Sequence, residues 1–398
     1  MNKGKAFKEW IGQRFPAQTL WDSHAAKYLV PKNLNFWYFF GVLSAVVLIN
    51  QILTGIWLTM YYEPTQAGAF ASVEHVMRDV RFGWLLRYMH STGASMFFVV
   101  LYLHIYRGIM YGSHKAPREL VWVIGMCLFA LSLIEAGSGY VLPWGQMSYW
   151  GAKVMVQIFT VIPVIGKSVA QWVMGDFTIS GVALHRFFAL HVIAIPLVVL
   201  FFVFLHVMAL HHVGSNNPDG IKAKKIDKIV FHPYYTVKDF AGIVVFLIVF
   251  FSIIFFAPTF GGYFLEPANF VQANPMVTPH HIAPPWYMAP FYAILRAVPS
   301  KLLGVVFVAL AVALLFVMPW LDRSKVRSLR YRGMWSKVAL SIFVFSFSML
   351  GLLGTMPLSE ANIYFSRFFA LLYFFYFFLM PIYTEHENNK KEPERVSY

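Results

Sequence analysis

Four histidines in two apolar stretches carry the chemistry open to this sequence. His90 and His104 lie fourteen residues apart within the stretch Arg87 to Arg107, and His191 and His206 lie fifteen apart in a second stretch. In a helix an interval of fourteen brings two side chains nearly to one face, about 21 Å apart along the axis. Histidine is rare inside apolar segments because its ring nitrogens need partners there. Interhelical hydrogen bonding would account for any one of these residues, but poorly for two pairs at matching intervals. Two helices with an imidazole at each of two matching depths suit two flat cofactors stacked across a membrane. Haem with two axial histidines is the candidate.

Other residues repeat the interval. Gly41 and Gly55 are fourteen apart, as are Gly125 and Gly139. Glycine lets a backbone approach a neighbour or a flat ring closely. Arg87 precedes His90 by three residues and Arg107 follows His104 by three, the spacing that shares a helix face. Both are placed to pair with anionic haem propionates, offsetting a charge cost of about 2.5–3.5 kcal/mol at a helix centre. Snorkelling to lipid headgroups is the alternative use of each arginine. The single cysteine, Cys127, leaves no disulfide framework, no Cys-x-x-Cys-His for covalent haem and no thiolate cluster for iron–sulfur. Any haem is therefore held non-covalently.

Composition sets the elements that must position these residues. The chain is 59% hydrophobic and only 13% charged, against about 25% charged in an ordinary soluble domain. Apolar runs predict an all-α membrane protein with eight transmembrane helices at roughly 35–60, 82–110, 119–141, 182–210, 237–257, 299–320, 334–355 and 361–383. The first four are expected to form a dihaem four-helix bundle. The formal charge of +14 does not point to nucleic acid, because there is so little polar surface. Most of the 32 Lys and Arg residues fall in loops 111–118, 211–236 and 321–333 and in the termini. That asymmetry orients the chain with both termini cytoplasmic.

Residues 1–34 read as an amphipathic segment on the inner membrane surface, with Lys3, Lys5, Lys8, Arg14, Lys27 and Lys32 at lipid phosphates. They lack the apolar core of a signal peptide. The bundle domain is expected over 35–230, a second domain with a large outer loop over 231–384, and a charged tail over 385–398. Segment 142–181 is apolar but broken, which predicts short helices lying at the interface. Segment 258–298 holds seven prolines and reads as extended or turn-rich. It is large for a connection, and so is expected to be functional.

Particular stretches carry a resemblance. They are Arg-Tyr-Met-His (87–90), His-Ile-Tyr-Arg-Gly (104–108), Gly-Tyr-Val-Leu-Pro-Trp-Gly-Gln-Met-Ser-Tyr-Trp-Gly-Ala (139–152), Arg-Phe-Phe-Ala-Leu-His (186–191), Gly-Ser-Asn-Asn-Pro (214–218), Phe-His-Pro-Tyr-Tyr (231–235) and Tyr-Ala-Ile-Leu-Arg (292–296). The chain resembles cytochrome b, the membrane subunit of quinol–cytochrome c reductase, over nearly its whole length. The resemblance implies a low-potential b haem on His90 and His191 near the outer face and a high-potential b haem on His104 and His206 near the inner face. It implies quinol oxidation at an outer site, with one electron going to a Rieske iron–sulfur protein. The other electron crosses both haems to quinone at an inner site, while protons leave outside and enter inside. A c-type cytochrome subunit, a homodimer and membrane lipid complete the implied partners.

By the same resemblance, His211 and Asp239 flank the inner quinone, Lys238 supplies protons and Ser215 lies beside them. His212 is an extra histidine, read as a solvated loop residue. Tyr140, Pro143, Gly151, Trp286, Tyr287 and Tyr292 line the outer site. The chain departs from the commonest pattern twice. The fifteen-residue interval in the fourth helix is one longer than in mitochondrial members, and Pro196 can absorb the difference. The outer motif, usually Pro-Glu-Trp-Tyr, is Pro284-Pro285-Trp286-Tyr287, so the carboxylate expected to accept a quinol proton is missing. The replacement candidates are His280 first, then Glu266 acting through water, with His281 where the family commonly has histidine. The histidine interval and the missing targeting segment favour a bacterial inner membrane. Two other readings compete: a dihaem anchor of another respiratory oxidoreductase, which needs only four or five helices, and a proton-coupled transporter using buried histidines.

Overall fold

The computed structural model describes residues 3–397; the side chains of Lys3, Lys5 and Lys8 lie outside the described residues. Eight helices among these residues are long and apolar enough to cross a membrane. They are α1 (Phe36–Thr59), α2 (Gly83–Met110), α3 (Glu119–Val141), α4 (Gly181–Val213), α5 (Tyr234–Phe256), α6 (Lys301–Leu321), α7 (Met334–Thr355) and α8 (Glu360–Phe378). Their outward faces are apolar: Leu197, Phe201 and Phe204 on α4 and Val245, Ile248 and Val249 on α5 are all exposed. Such a surface suits lipid or a partner helix, and helices satisfy their own backbone groups there. α8 is shorter than its apolar run. The chain breaks at Leu379, and a separate helix, Met380–His386, follows with Pro381 in its first turn. Proline is accommodated there because the first amides of a helix have no intrahelical acceptor.

α1 packs along α2, and α3 along α4, which brings the histidine-bearing helices α2 and α4 into one bundle. α5 leans on α1 and α2 through Phe246, Phe250 and Ile254. On the other side, α6, α7 and α8 pack around a short buried helix, Ala289–Ala297. This corrects the extended reading of segment 258–298. Pro290, counted as a breaker, sits in the helix's first turn. The rest of that segment has only short 3-10 turns at Phe260–Gly262 and Pro267–Phe270. Segment 142–181 forms the short helices Gln146–Gln157 and Gly166–Met174, as its broken apolar pattern predicts.

Within α4, Leu190–Ala194 winds as a π turn that contains His191 and ends just before Pro196. A π turn absorbs one extra residue in a helix. The adjustment ascribed to Pro196 is thus made in the turn immediately before it.

The end of the molecule carrying both termini, here the basic end, is tied by buried carboxylates. Asp322 is hydrogen-bonded to His114 at 2.8 Å and pairs with Lys115 at 2.9 Å and Arg332 at 2.6 Å. Burial alone would raise its carboxyl, but these three neighbours hold it far below the usual range. Asp227 pairs with Lys32 at 3.1 Å and Arg395 at 2.7 Å. Asp219 accepts from Arg330 and from Ser397. The charged tail therefore folds back onto the loops. Strands β1 (Leu29–Pro31) and β2 (Lys228–Val230) pair antiparallel at the same end.

Candidate functional site

The bundle brings the four histidines into two facing pairs. The ring centroids of His90 and His191 are 6.1 Å apart, and those of His104 and His206 are 6.4 Å apart. Two imidazoles bound across one metal atom, each at about 2.0 Å, would have centroids about 6.3 Å apart. Both pairs have that separation. The Thr54 hydroxyl donates to the carbonyl of Asn50 at 2.6 Å, so its oxygen is free to accept from Nδ1 of His90 at 2.9 Å. Nδ1 of His191 is 3.0 Å from the backbone carbonyl of Glu135 and 3.0 Å from Oε1 of the same residue. A hydrogen bond at Nδ1 fixes the tautomer and leaves Nε2 for a metal.

The four glycines each lie against one of these rings. A Cβ added at Gly41 would come within 3.4 Å of His104, and at Gly55 within 3.2 Å of His90. At Gly125 it would come within 3.2 Å of His206, and at Gly139 it would collide with His191. The repeat of the fourteen-residue interval is thus a cradle for imidazoles. Arg87 Nη1 and Arg107 Nε are buried with no hydrogen-bond partner among the described residues. Arg107 also stacks on Tyr38 at 4.5 Å. Buried cationic nitrogens without partners are costly, and an anionic ligand would satisfy them. The donor set, the glycine cradle and these guanidinium groups fit haem. Arg186 Nη1 is likewise buried and unpaired among the described residues. The sequence reading missed it, although it opens the Arg-Phe-Phe-Ala-Leu-His stretch.

At the end opposite the termini, here the far end, a cavity of about 810 Å³ opens beside His90 and His191. Its lining also includes Arg87, Tyr140, Pro143, Glu266, His281, Trp286 and Tyr287. A smaller cavity of about 240 Å³ is lined by Gly151 and Tyr292 and shares Tyr140, Pro284 and Pro285 with the first. The aromatic side chains are held in place. Tyr287 stacks on Phe98 at 4.1 Å and its carbonyl accepts from the Tyr102 hydroxyl at 2.5 Å. The Trp286 indole donates to Ser95 at 3.2 Å.

Tyr140 donates its hydroxyl to Glu266 at 3.0 Å. Burial pushes the Glu266 carboxyl up, opposed by that hydrogen bond and by His281. His281 approaches the Thr355 carbonyl through Nε2 at 2.9 Å. His280, ranked first from the sequence, is exposed and lies on neither cavity lining. The chain there is not helical, and consecutive side chains of an extended chain point to opposite sides. His281 turns inward and His280 outward. Glu135 also lines the larger cavity and was missed; its signal was a lone carboxylate in an apolar run, four residues before Gly139.

At the basic end, His211 stacks on Tyr28 of the N-terminal segment with ring centroids 4.7 Å apart. The Ser215 carbonyl accepts from Arg118 at 3.3 Å. Lys238 lies over the rings of Tyr234 and Tyr235 at 4.4 and 5.4 Å, and Asp239 beside it is half-buried. His212 is exposed, but it lies in the last turn of α4 and not in a loop as expected, because the helix runs on to Val213.

The chain is similar to known proteins along most of its length. Residues 25–214 match the family model described as cytochrome b/b6/petB, and residues 272–374 match cytochrome b(C-terminal)/b6/petD. The chain is 54% identical over 404 residues to cytochrome b of Allochromatium vinosum, covering 98% of this chain and 97% of that one. It is 49% identical to cytochrome b of Rickettsia bellii, covering 99% and 98% of the two chains. A chain of a solved structure described as a hyperthermophilic respiratory Complex III superposes with a TM-score of 0.89 at 38% identity, over 95% of this chain and 99% of that one. With family matches in both halves and near full-length relatives at about half identity, the chain belongs to the cytochrome b family.

Proposed function

We propose that this chain is the dihaem, catalytic membrane subunit of a respiratory quinol–cytochrome c reductase. The observation that carries the reading is the two facing imidazole pairs, each ring backed by a glycine, with unpaired buried guanidinium nitrogens on the same helix, α2. Domain 35–230 holds both haems, and domain 231–384 supplies the quinol loop. His90 and His191 hold the low-potential haem at the far end; His104 and His206 hold the high-potential haem at the basic end. Arg87 and Arg107 hold their propionates. When bound, the haems supply one-electron carriers at two depths of the membrane.

The far end faces outward. There Tyr140, Trp286, Tyr287 and Tyr292 shape the pocket for quinol, and Glu266 takes up a released proton through its hydrogen bond with Tyr140. At the basic end His211, Ser215 and Asp239 orient quinone, and Lys238 delivers protons from the cytoplasmic side. Proton release outside and uptake inside couple electron transfer to proton translocation. A Rieske iron–sulfur protein and a c-type cytochrome complete the complex, which is a homodimer in the lipid of a bacterial inner membrane with both termini cytoplasmic. The reduced-minus-oxidised spectrum of the purified protein tests the reading. Two b-type components titrating at different potentials are expected. A protein without a haem spectrum would instead be a transporter using buried histidines.

A further inference from the structure

The two imidazole pairs are not equivalent in what stands behind them. Nδ1 of His90 meets the neutral hydroxyl of Thr54, and Nδ1 of His104 has no hydrogen-bond partner among the described residues. Nδ1 of His191 alone among these three faces a carboxylate, Oε1 of Glu135 at 3.0 Å. The other oxygen, Oε2, is buried with no hydrogen-bond partner among the described residues. The charge of Glu135 is therefore not tied up by another hydrogen-bond donor at that oxygen.

We infer that Glu135 is a positioning residue for the far-end haem, its carboxylate accepting the Nδ1–H of His191 and holding that haem at the lower potential. The inference rests on the reading of His191 as an iron ligand. A carboxylate behind a metal-bound imidazole makes the ligand more basic. A more electron-donating ligand favours the oxidised metal, and second-shell hydrogen bonding is one of the levers that set haem potential. The carboxylate acceptor thus stands behind a histidine of the far-end pair, where it would lower the potential of a haem held there. Glu135 is the one carboxylate of α3 beyond its first residue, Glu119, and stands four residues before Gly139, one helical turn away on the same face. Gly139 holds the His191 ring close to α3, and Glu135 takes its outer nitrogen. The backbone carbonyl of Glu135 also accepts from Nδ1 at 3.0 Å. Removal of the side-chain charge therefore leaves one acceptor in place to orient the ring.

The test is an equilibrium redox titration of both b components in the purified complex carrying Glu135→Gln or Glu135→Leu. The far-end component is expected to become easier to reduce in both. Its reduced-to-oxidised ratio at fixed potential should rise about tenfold, equivalent to about 59 mV for one electron, with haem content and the basic-end component unchanged. An unmoved far-end midpoint in Glu135→Gln, with both haems present, would overturn the inference. If Glu135→Leu loses haem, the isosteric Gln variant alone decides. A His191→Leu protein that keeps both components would overturn the ligand reading itself, and is thereby distinguished from failure of the Glu135 role.

Discussion

Gly139 of α3 leaves no room for a side chain against the imidazole of His191. The other three glycines of the cradle are graded: an added Cβ would reach 3.2 Å at Gly55 and Gly125 and 3.4 Å at Gly41. Alanine substitution should follow that order. Overpacking costs about 1–3 kcal/mol where neighbours cannot yield, so Gly139→Ala should lose most of the far-end b component. Gly41→Ala should keep most of the basic-end one. Difference-spectrum amplitudes in the four single variants check the ranking, and equal losses at Gly139 and Gly41 would contradict it.

His191→Leu should remove one b component and leave the His104–His206 component largely intact; His206→Leu should do the reverse. Each pair has its own facing partner, so the two losses are separable in a redox titration.

Glu266→Gln should slow quinol oxidation, whereas His280→Ala should not. Burial raises the Glu266 carboxyl, so the proton-accepting carboxylate is populated only above that raised value. The loss belongs on the alkaline side and fades as the pH falls below it. A positioned base is worth about 10²–10⁴-fold, and with water as substitute the loss should be roughly tenfold. Identical pH profiles for wild type and Glu266→Gln would rule out the role.

Asp239→Asn should slow re-oxidation of the basic-end haem by quinone without slowing its reduction from the far end. The half-buried carboxylate next to Lys238 motivates this. Single-turnover kinetics separate the two phases, and unchanged re-oxidation would count decisively against it.

Asp322→Asn should lower the unfolding temperature in detergent. It leaves His114, Lys115 and Arg332 without their shared carboxylate, and breaking a buried pair costs about 3–5 kcal/mol. The carboxyl is held far below its ordinary value, so its stabilisation is present above the unfolded-state value, about 3.9. It is lost as the pH falls toward the folded one. The gap between the wild-type protein and the Asp322→Asn variant should therefore narrow below about pH 4.

The helices and the histidine pairs were legible because both signals are periodic and lie within one segment. Hydropathy marks a span, and a fourteen-residue interval marks a face. What escaped was set by contacts between segments. β1 and β2 are three residues each and meet across nearly 200 residues of chain, so neither carries a local pattern. Helix Ala289–Ala297 was hidden because Pro290 reads as a breaker until its first-turn position is known. His280 was ranked above Glu266 because residue type does not reveal which side of the chain faces the cavity: His280 is exposed, while Glu266 and His281 line it. Glu135 was passed over because its partner stands on another helix, fifty-six residues away.

The wide turn at Leu190–Ala194 also makes α4 tolerant of a change in length at one place only. Losing a single residue inside that turn exchanges the wide turn for a regular one, and everything below keeps its phase. The same event between Pro196 and His206 would swing His206 by about 100°, out of register with His104. Intervals of fourteen and fifteen between these two histidines can thus serve one pocket, because the extra residue is confined to a turn that hides it from the second histidine.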